Sequence, residues 1–238
     1  MRTSSLILAL LALLWTLPAR AENLVVAAGS GYKAYVMDIA AAYQRQTGNE
    51  MDVIFGNMAQ VIAQTKAGGK ADMALGAQWF FQQAGLNLAS CLPVGEGKLV
   101  LAWAKSRVRN GVDDLTSDAV TRIVMPDPER SIYGRAAAQY LESSGLAARL
   151  RNKLVVVGTI AQVGAYLMSG EADFGFMNLT HARTIEAKIG GSVELAEGYA
   201  AIRIVMCPTR ALTPDTAAGF LRFMETDAVR AIAVKHGL

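Results

Sequence analysis

Short apolar segments alternate with amphipathic stretches along most of this chain of 238 residues. The apolar segments have the length of buried strands, and the stretches between them repeat apolar positions at helical spacing. We predict strands at 24–27, 51–54, 73–76, 98–104, 121–125, 154–157, 173–177 and 201–206, and helices at 33–46, 59–66, 134–144, 160–169, 181–189 and 214–225. This alternation is typical of an α/β fold with largely parallel sheets.

Two of the predicted strands, 98–104 and 201–206, enclose a complete set of further strands and helices. We therefore predict two lobes joined by these two extended hinge strands. The first lobe comprises residues 22–104 and 203–238, and the second, residues 105–202, is inserted into it. A cleft between lobes is a common place for a ligand. The alternative is a single doubly wound sheet with a long antiparallel excursion.

The first 21 residues have the pattern of a secretory signal peptide. Arg2 supplies the positive start, residues 6–14 form an apolar core, and Ala19-Arg20-Ala21 is a small-residue cleavage site. The apolar core is shorter than the roughly 20 residues of a transmembrane helix. We predict cleavage after Ala21 and a soluble exported protein, with an uncleaved membrane anchor as the alternative.

Charge and cysteine content narrow the possible functions. Without Arg2 and Arg20, the 23 basic residues become 21 against 20 acidic ones, and no basic run interleaved with aromatic residues is present. Nucleic acid is therefore not an expected partner. An oxidising compartment permits a disulfide between Cys91 and Cys207, although the apolar surroundings of each equally allow buried free thiols. The two histidines lack metal-ligand spacing, so neither a metal site nor a cofactor is expected.

Polar loops follow five of the predicted strands, where open α/β sheets bind their ligands. Helices begin directly after most of these loops, so their free backbone N–H groups would surround a small polar ligand. Ser30, Asn57, Ser131 and Thr159 have the alternative role of helix N-caps, and Tyr32 and Tyr133 that of packing aromatics. The loops are Gly29-Ser30-Gly31-Tyr32, 55–60, 126–133, 159–163 and 178–181.

Sequence signatures of catalysis are missing from this chain. There is no Gly-x-Ser-x-Gly nucleophile elbow and no phosphate-binding Gly-x-x-x-x-Gly-Lys loop. The carboxylates of Asp127 and Glu129 lie in an Asp-Pro-Glu segment that is typical of a turn. We therefore expect a binding protein without enzymatic activity.

Several motifs fall in the order and spacing of a known family. They are Val26-Ala27-Ala28-Gly29-Ser30 before a helix with Asp38–Tyr43, the segment 64–74, the turn Pro126-Asp127-Pro128, and Gly170-Glu171-Ala172-Asp173-Phe174-Gly175-Phe176. Over residues 23–238 the chain resembles the periplasmic molybdate-binding proteins of ABC transporters, in the type II periplasmic binding protein group. The resemblance implies two α/β lobes with a cleft, an oxyanion such as molybdate or tungstate as ligand, and a membrane permease as partner of a monomeric binding protein.

Ser30 matches the first ligand-binding serine of that family. Other positions depart from the pattern: the second serine region here is Gly56-Asn57-Met58, and Asn178 replaces a tyrosine. Because an amide brings an acceptor as well as a donor, the alternative ligand is a small organic acid, with a transport or sensory role. The expected ligand contacts are Ser30, Gly31, Tyr32, Asn57, Met58, Ser131, Tyr133, Val163 through its backbone, and Asn178.

Overall fold

The strands form two separate five-stranded sheets in the computed structural model, which describes residues 23–66, 69–105, 111–209 and 214–238. The ten strands are β1 Leu24–Gly29, β2 Met51–Gly56, β3 Met73–Ala77, β4 Leu92–Gly97, β5 Leu99–Trp103, β6 Ile123–Pro126, β7 Leu154–Val157, β8 Phe174–Asn178, β9 Gly191–Glu194 and β10 Ile202–Pro208. The α-helices are α1 Lys33–Thr47, α2 Met58–Thr65, α3 Gln78–Gln83, α4 Ile132–Ser143, α5 Ala147–Leu150, α6 Ile160–Ser169, α7 Leu179–Ile185, α8 Pro214–Met224 and α9 Asp227–Lys235. Two sheets confirm the predicted two-lobed α/β fold.

The first sheet has the strand order β2-β1-β3-β10-β4. β1 is parallel to both β2 and β3, whereas β10 runs antiparallel between β3 and β4. A parallel core strand is covered on both faces, which explains the nearly continuous apolar sequence of β1. α1 buries Tyr35, Val36 and Ile39 and ends at Gly48, whose φ of 76° is the left-handed cap that glycine favours.

The second sheet has the order β7-β6-β8-β5-β9. β6 is parallel to β7 and β8, and β5 runs antiparallel to β8 and β9. Phe174 and Phe176 on β8 are fully buried, as are Leu99 and Leu101 on β5. α4 and α6 pack against β8 and so cover this core.

The chain crosses from the first sheet to the second at Lys98, which lies before the lobe boundary that the sequence predicted at 104/105. β4 ends at Gly97 in the first sheet and β5 begins at Leu99 in the second. The sequence pattern indicates a loop at 93–97, where the structure has β4, because Pro93 and two glycines are typical of a loop; the predicted strand 98–104 corresponds to β5. We propose Lys98 as the outward hinge, and the segment between Glu194 and Ile202 as the return.

A disulfide joins Cys91, just before β4, to Cys207 in β10. This is one of the two states that the sequence left open. The cysteines follow the register of the antiparallel pair, in which Met206 lies opposite Leu92. The bond therefore fastens the edge strand β4 to its only neighbour in the described sheet.

No helix within the described ranges combines the length and the apolar character needed to cross a bilayer. The predicted signal peptide, residues 1–21, lies outside the described residues. Its cleavage after Ala21 stays a prediction.

The C-terminal helix α9 is tied to α1 through the carboxylate of Asp38. Its Oδ2 accepts hydrogen bonds from Lys235 Nζ and His236 Nε2, both at 2.8 Å. These two bonds lower the pKa of Asp38 below its ordinary value of 3.8. A lowered carboxylate pKa stabilises the folded state above the unfolded pKa, and the stabilisation is lost as pH falls through the folded pKa.

Asp38→Asn should therefore lower the free energy of unfolding by about 0.5–1 kcal/mol near neutral pH, since the carboxylate is partly exposed. The difference from wild type should shrink towards about pH 3. Urea unfolding at both pH values measures it, with the exposed Asp118→Asn as control. A difference that is constant with pH would contradict an electrostatic origin.

Candidate ligand-binding site

A small cavity lies between the two sheets, at the carboxyl ends of β1, β2, β6 and β7. Its volume is about 20 Å³, enough for roughly one or two water molecules on the scale where one water needs about 10–15 Å³. The lining residues are Gly29, Ser30, Gly31, Tyr32, Gly56, Asn57, Met58, Ser131, Ile132, Tyr133, Thr159 and Ile160.

Four helix N-termini meet at this cavity, two from each lobe. The 3₁₀ turn Ser30–Tyr32 leads into α1, and α2 begins at Met58, while the second lobe contributes the starts of α4 and α6. A helix N-terminus carries free N–H groups and a partial positive charge. None of the lining residues, all of which are described, has a charged side chain. The site therefore offers neutral hydrogen-bond donors and helix dipoles.

The side-chain oxygens of three cap residues are already engaged with their own helices, and one of them, Ser131 Oγ, accepts from the Gly134 N–H at 3.4 Å. Asn57 Oδ1 accepts from the Gln60 N–H at 3.0 Å, while Gln60 Oε1 accepts from the Asn57 N–H at 2.9 Å. Thr159 and Gln162 form the same capping box at the start of α6. These arrangements leave the Asn57 amide N–H groups and the Thr159 hydroxyl hydrogen as donors.

Tyr32 and Tyr133 connect the two lobes across the cavity through their hydroxyl groups. The two Oη atoms are 2.6 Å apart, and both side chains are buried. Burial raises the pKa of both tyrosines well above the ordinary value of 10, so both hydroxyls stay protonated near neutral pH. Two hydroxyls that share one hydrogen bond have one further O–H to donate. Both tyrosines line the cavity, and their paired hydroxyls lie beside Gly97 of β4.

A backbone hydrogen bond also crosses the cleft beside the cavity. The N–H of Met58, at the start of α2, donates to the carbonyl of Arg130 at 2.8 Å. The Met58 side chain is buried and packs beside Gly76, where a Cβ would collide with its Cε and Sδ atoms. Met58 therefore forms a wall of the site, while its own N–H is engaged by the second lobe.

Two of the predicted contact residues, Val163 and Asn178, lie outside the cavity lining. The Val163 N–H donates to the Thr159 carbonyl inside α6, and its side chain packs beneath Gly175. Asn178 is buried behind the 3₁₀ turn, where its Nδ2 donates to the Gly31 carbonyl at 3.0 Å. Its Oδ1 has no hydrogen-bond partner among the described residues. Asn178 thus supports Gly31 from the second lobe instead of facing the cavity.

The structure brings the other predicted residues together and adds five that the prediction omitted. Ser30, Gly31, Tyr32, Asn57, Met58, Ser131 and Tyr133 all line the cavity, and the additions are Gly29, Gly56, Ile132, Thr159 and Ile160. The signal for the last two was in the sequence: Thr159-x-x-Gln162 is a capping box. It places the first free N–H of α6 at Ile160, one turn before Val163.

Among described residues, no group of three or more His, Cys, Asp or Glu is placed to hold a metal ion.

Comparison with known proteins gives consistent matches along the chain. The profile of the family described as bacterial extracellular solute-binding protein matches residues 24–238. Molybdate-binding protein ModA of Azotobacter vinelandii is 30% identical over 198 residues, which are 79% of this chain and 77% of that protein. Molybdate-binding protein ModA of Rhodobacter capsulatus is 26% identical over 233 residues, which are 93% of this chain and 90% of that protein. The solved structure of the Azotobacter vinelandii periplasmic molybdate-binding protein superposes with a TM-score of 0.80 at 24% identity, covering 90% of this chain and 98% of that one.

Proposed function

We propose that the cavity of this protein binds a small tetrahedral oxyanion such as molybdate. The proposal starts from the family: the chain belongs to the bacterial extracellular solute-binding proteins and to their molybdate-binding-like members. The protein is a periplasmic solute-binding protein of the ABC-transporter type. In our proposal it delivers the oxyanion to the membrane permease as a monomer, and the ligand leaves chemically unchanged. Export by the sequence-predicted signal peptide, with cleavage after Ala21, is part of the same proposal.

The observation that carries this proposal is the meeting of four helix N-termini around a cavity without charged side chains. An anion is well held at such ends, because N–H groups point at it and the helix dipoles favour negative charge. The hydroxyls of Ser30, Ser131 and Thr159 and the tyrosine pair add neutral donors. A carboxylate in the lining would repel an oxyanion, and none is present among these described residues.

The positions of the two asparagines favour an oxyanion over the organic acid, which is the alternative from the sequence. That alternative was based on acceptors facing the ligand at Asn57 and Asn178. Asn57 Oδ1 is occupied by the Gln60 N–H, and Asn178 lies outside the lining.

Binding in this site would couple the ligand to lobe closure. Ser30 and the Asn57 amide approach the cavity from the first lobe, and Ser131, Tyr133 and the N–H of Ile160 approach it from the second. A ligand that accepts hydrogen bonds from both sets binds the closed form better than the open form, and so shifts the lobes towards closure. The closed form would then be the state that a permease recognises.

The experiment is a thermal-unfolding screen with molybdate, tungstate, sulfate, phosphate and small carboxylic acids. A ligand at 100 times its dissociation constant should stabilise the protein by about 2.7 kcal/mol. We expect molybdate or tungstate to do so, and Ser30→Ala to weaken binding about tenfold, since a hydrogen bond to a charged group contributes about 1.5 kcal/mol or more.

Ser192→Ala, an exposed serine on β9 away from the cavity, is the matched control and should bind like wild type. Stabilisation by a carboxylic acid alone, with no response to any oxyanion, would overturn the proposal. Recovery of the ligand unchanged after prolonged incubation tests the absence of turnover.

A further inference from the structure

The helices α3 and α4 face each other from opposite lobes, beside the ligand cavity. The Cζ atom of Arg135 on α4 lies 4.2 Å from the ring centroid of Trp79 and 4.9 Å from that of Phe80, both on α3. Arg135 Nη1 also donates to Gln83 Oε1 at 3.2 Å. The two aromatic rings are themselves stacked, with centroids 4.1 Å apart. We call these four residues the arginine clasp.

The clasp is connected to the ligand cavity through a single helix. α4 begins at Ile132, and its N-cap Ser131 lines the ligand cavity, one turn before Arg135. Ile132 lines the ligand cavity and also a second cavity of about 210 Å³, which Trp79 and Arg135 line as well. A movement of α4 that displaces Ser131 therefore also displaces Arg135 from α3.

We propose that Arg135 is a positioning residue that holds the lobes closed around the ligand without touching it. The clasp joins α3 of the first lobe to α4 of the second, so separation of the lobes breaks it. A contact made only in the closed form stabilises that form and slows ligand release. The role of Arg135 in ligand retention rests on the proposed function, whereas its role in lobe closure does not depend on which ligand binds.

Arginine is suited to this role because its guanidinium is planar and carries several donors. It stacks on an aromatic face and donates to Gln83 at the same time, which a lysine ammonium cannot reproduce. A cation–π contact contributes about 0.5 kcal/mol when exposed and about 2 kcal/mol when desolvated. That range corresponds to roughly 2- to 30-fold in an equilibrium constant.

The test is a double-mutant cycle with Arg135→Ala, Trp79→Leu and the double variant, using molybdate as the probe. Each single variant should release molybdate roughly 2- to 30-fold faster, with little change in the association rate. The double variant should be no worse than the more severe single variant, because both remove the same contact. Arg135→Lys should resemble Arg135→Ala. Arg149→Ala, an exposed arginine on α5 of the same lobe, is the control.

Lobe separation is measured independently with spin labels at the exposed positions Gln44→Cys and Asp118→Cys, one in each lobe. Arg135→Ala should shift the distance distribution towards longer distances, with or without molybdate. Strictly additive effects in the cycle, or an unchanged distance distribution, would overturn the proposal. If the wild type binds no oxyanion, the proposed function fails, but the label distances still decide whether the clasp holds the lobes together.

Discussion

Replacing both Cys91 and Cys207 with alanine is expected to lower the free energy of unfolding by about 2–5 kcal/mol. The disulfide closes a long loop, with a sequence separation of 116. In the chain-entropy account, closing a loop of about 100 residues contributes roughly 4.7 kcal/mol. It also fastens the edge strand β4, which leads into the hinge at Lys98. For a chain of this size the unfolding midpoint should fall by roughly 4–20 °C.

The measurement is thermal or urea unfolding of the purified protein with and without a reductant. Reduced wild type and the double alanine variant should unfold together, and the variant should be insensitive to the reductant. Alanine is preferred to serine because Cys207 is fully buried, where a hydroxyl would need a hydrogen-bond partner. If the variant matches oxidised wild type, the bond contributes nothing to stability and this expectation is wrong.

Gly97→Ala is expected to weaken oxyanion binding by about 5- to 150-fold. Gly97 is the last residue of β4, next to the hinge, and lies under the pair formed by Tyr32 and Tyr133. A Cβ there would overlap Tyr133 Oη and lie 2.9 Å from Ile202 Cγ2 and 3.1 Å from Tyr32 Oη. Overpacking of this kind costs about 1–3 kcal/mol. Because the overlap falls on the contact between the lobes, we expect it to destabilise the closed form relative to the open form, and so to weaken ligand binding.

Calorimetric titration with molybdate measures this effect. Gly219→Ala is a matched control, because a Cβ at Gly219 in α8 meets no atom of the described residues within 4 Å, its chain neighbours and its own helix backbone aside. Wild-type affinity in Gly97→Ala would show that the tyrosine pair does not need this approach for closure.

The elements with strong local signals could be predicted from the sequence alone. The pattern gave β7 and α6 the bounds that the structure shows. β7 is a short apolar run, and α6 has a capping box at its start and Gly170, with φ of 77°, at its end. Local signals of this kind act within one turn, so no tertiary information is needed to interpret them.

Elements that depend on tertiary context were missed. β4 contains Pro93 and two glycines, which suggested a loop, but an edge strand tolerates proline. The register of β4 with β10 shifts between Ile204 and Val205, where Pro93 lies. β9 is also a short edge strand, and α3, with the sequence QWFFQQ, is too short to show a period. α9 was also missed: it begins two residues after the end of α8, and the sequence pattern predicted only one helix in this region, 214–225.

The candidate site was predictable as a set of loops but not as a set of contacts. The rule that ligands bind at the carboxyl ends of strands identified the loops that contain Ser30, Asn57, Ser131 and Thr159. It could not reveal that Tyr32 and Tyr133, 101 residues apart, share a hydrogen bond. It also could not show that Asn178 donates to the Gly31 carbonyl and lies outside the cavity lining. Those facts depend on how one lobe is oriented on the other, which no local pattern encodes.

The strand order has a consequence for the sequence of folding events. All strands of the second sheet lie within residues 99–194, so that sheet has all its strands once this continuous stretch is available. The first sheet needs β10, residues 202–208, to fill the gap between β3 and β4. Long-range pairings of this kind form slowly, because the chain entropy of the intervening loop is lost first. The inserted lobe can therefore form early, whereas the lobe that begins and ends the chain is completed last.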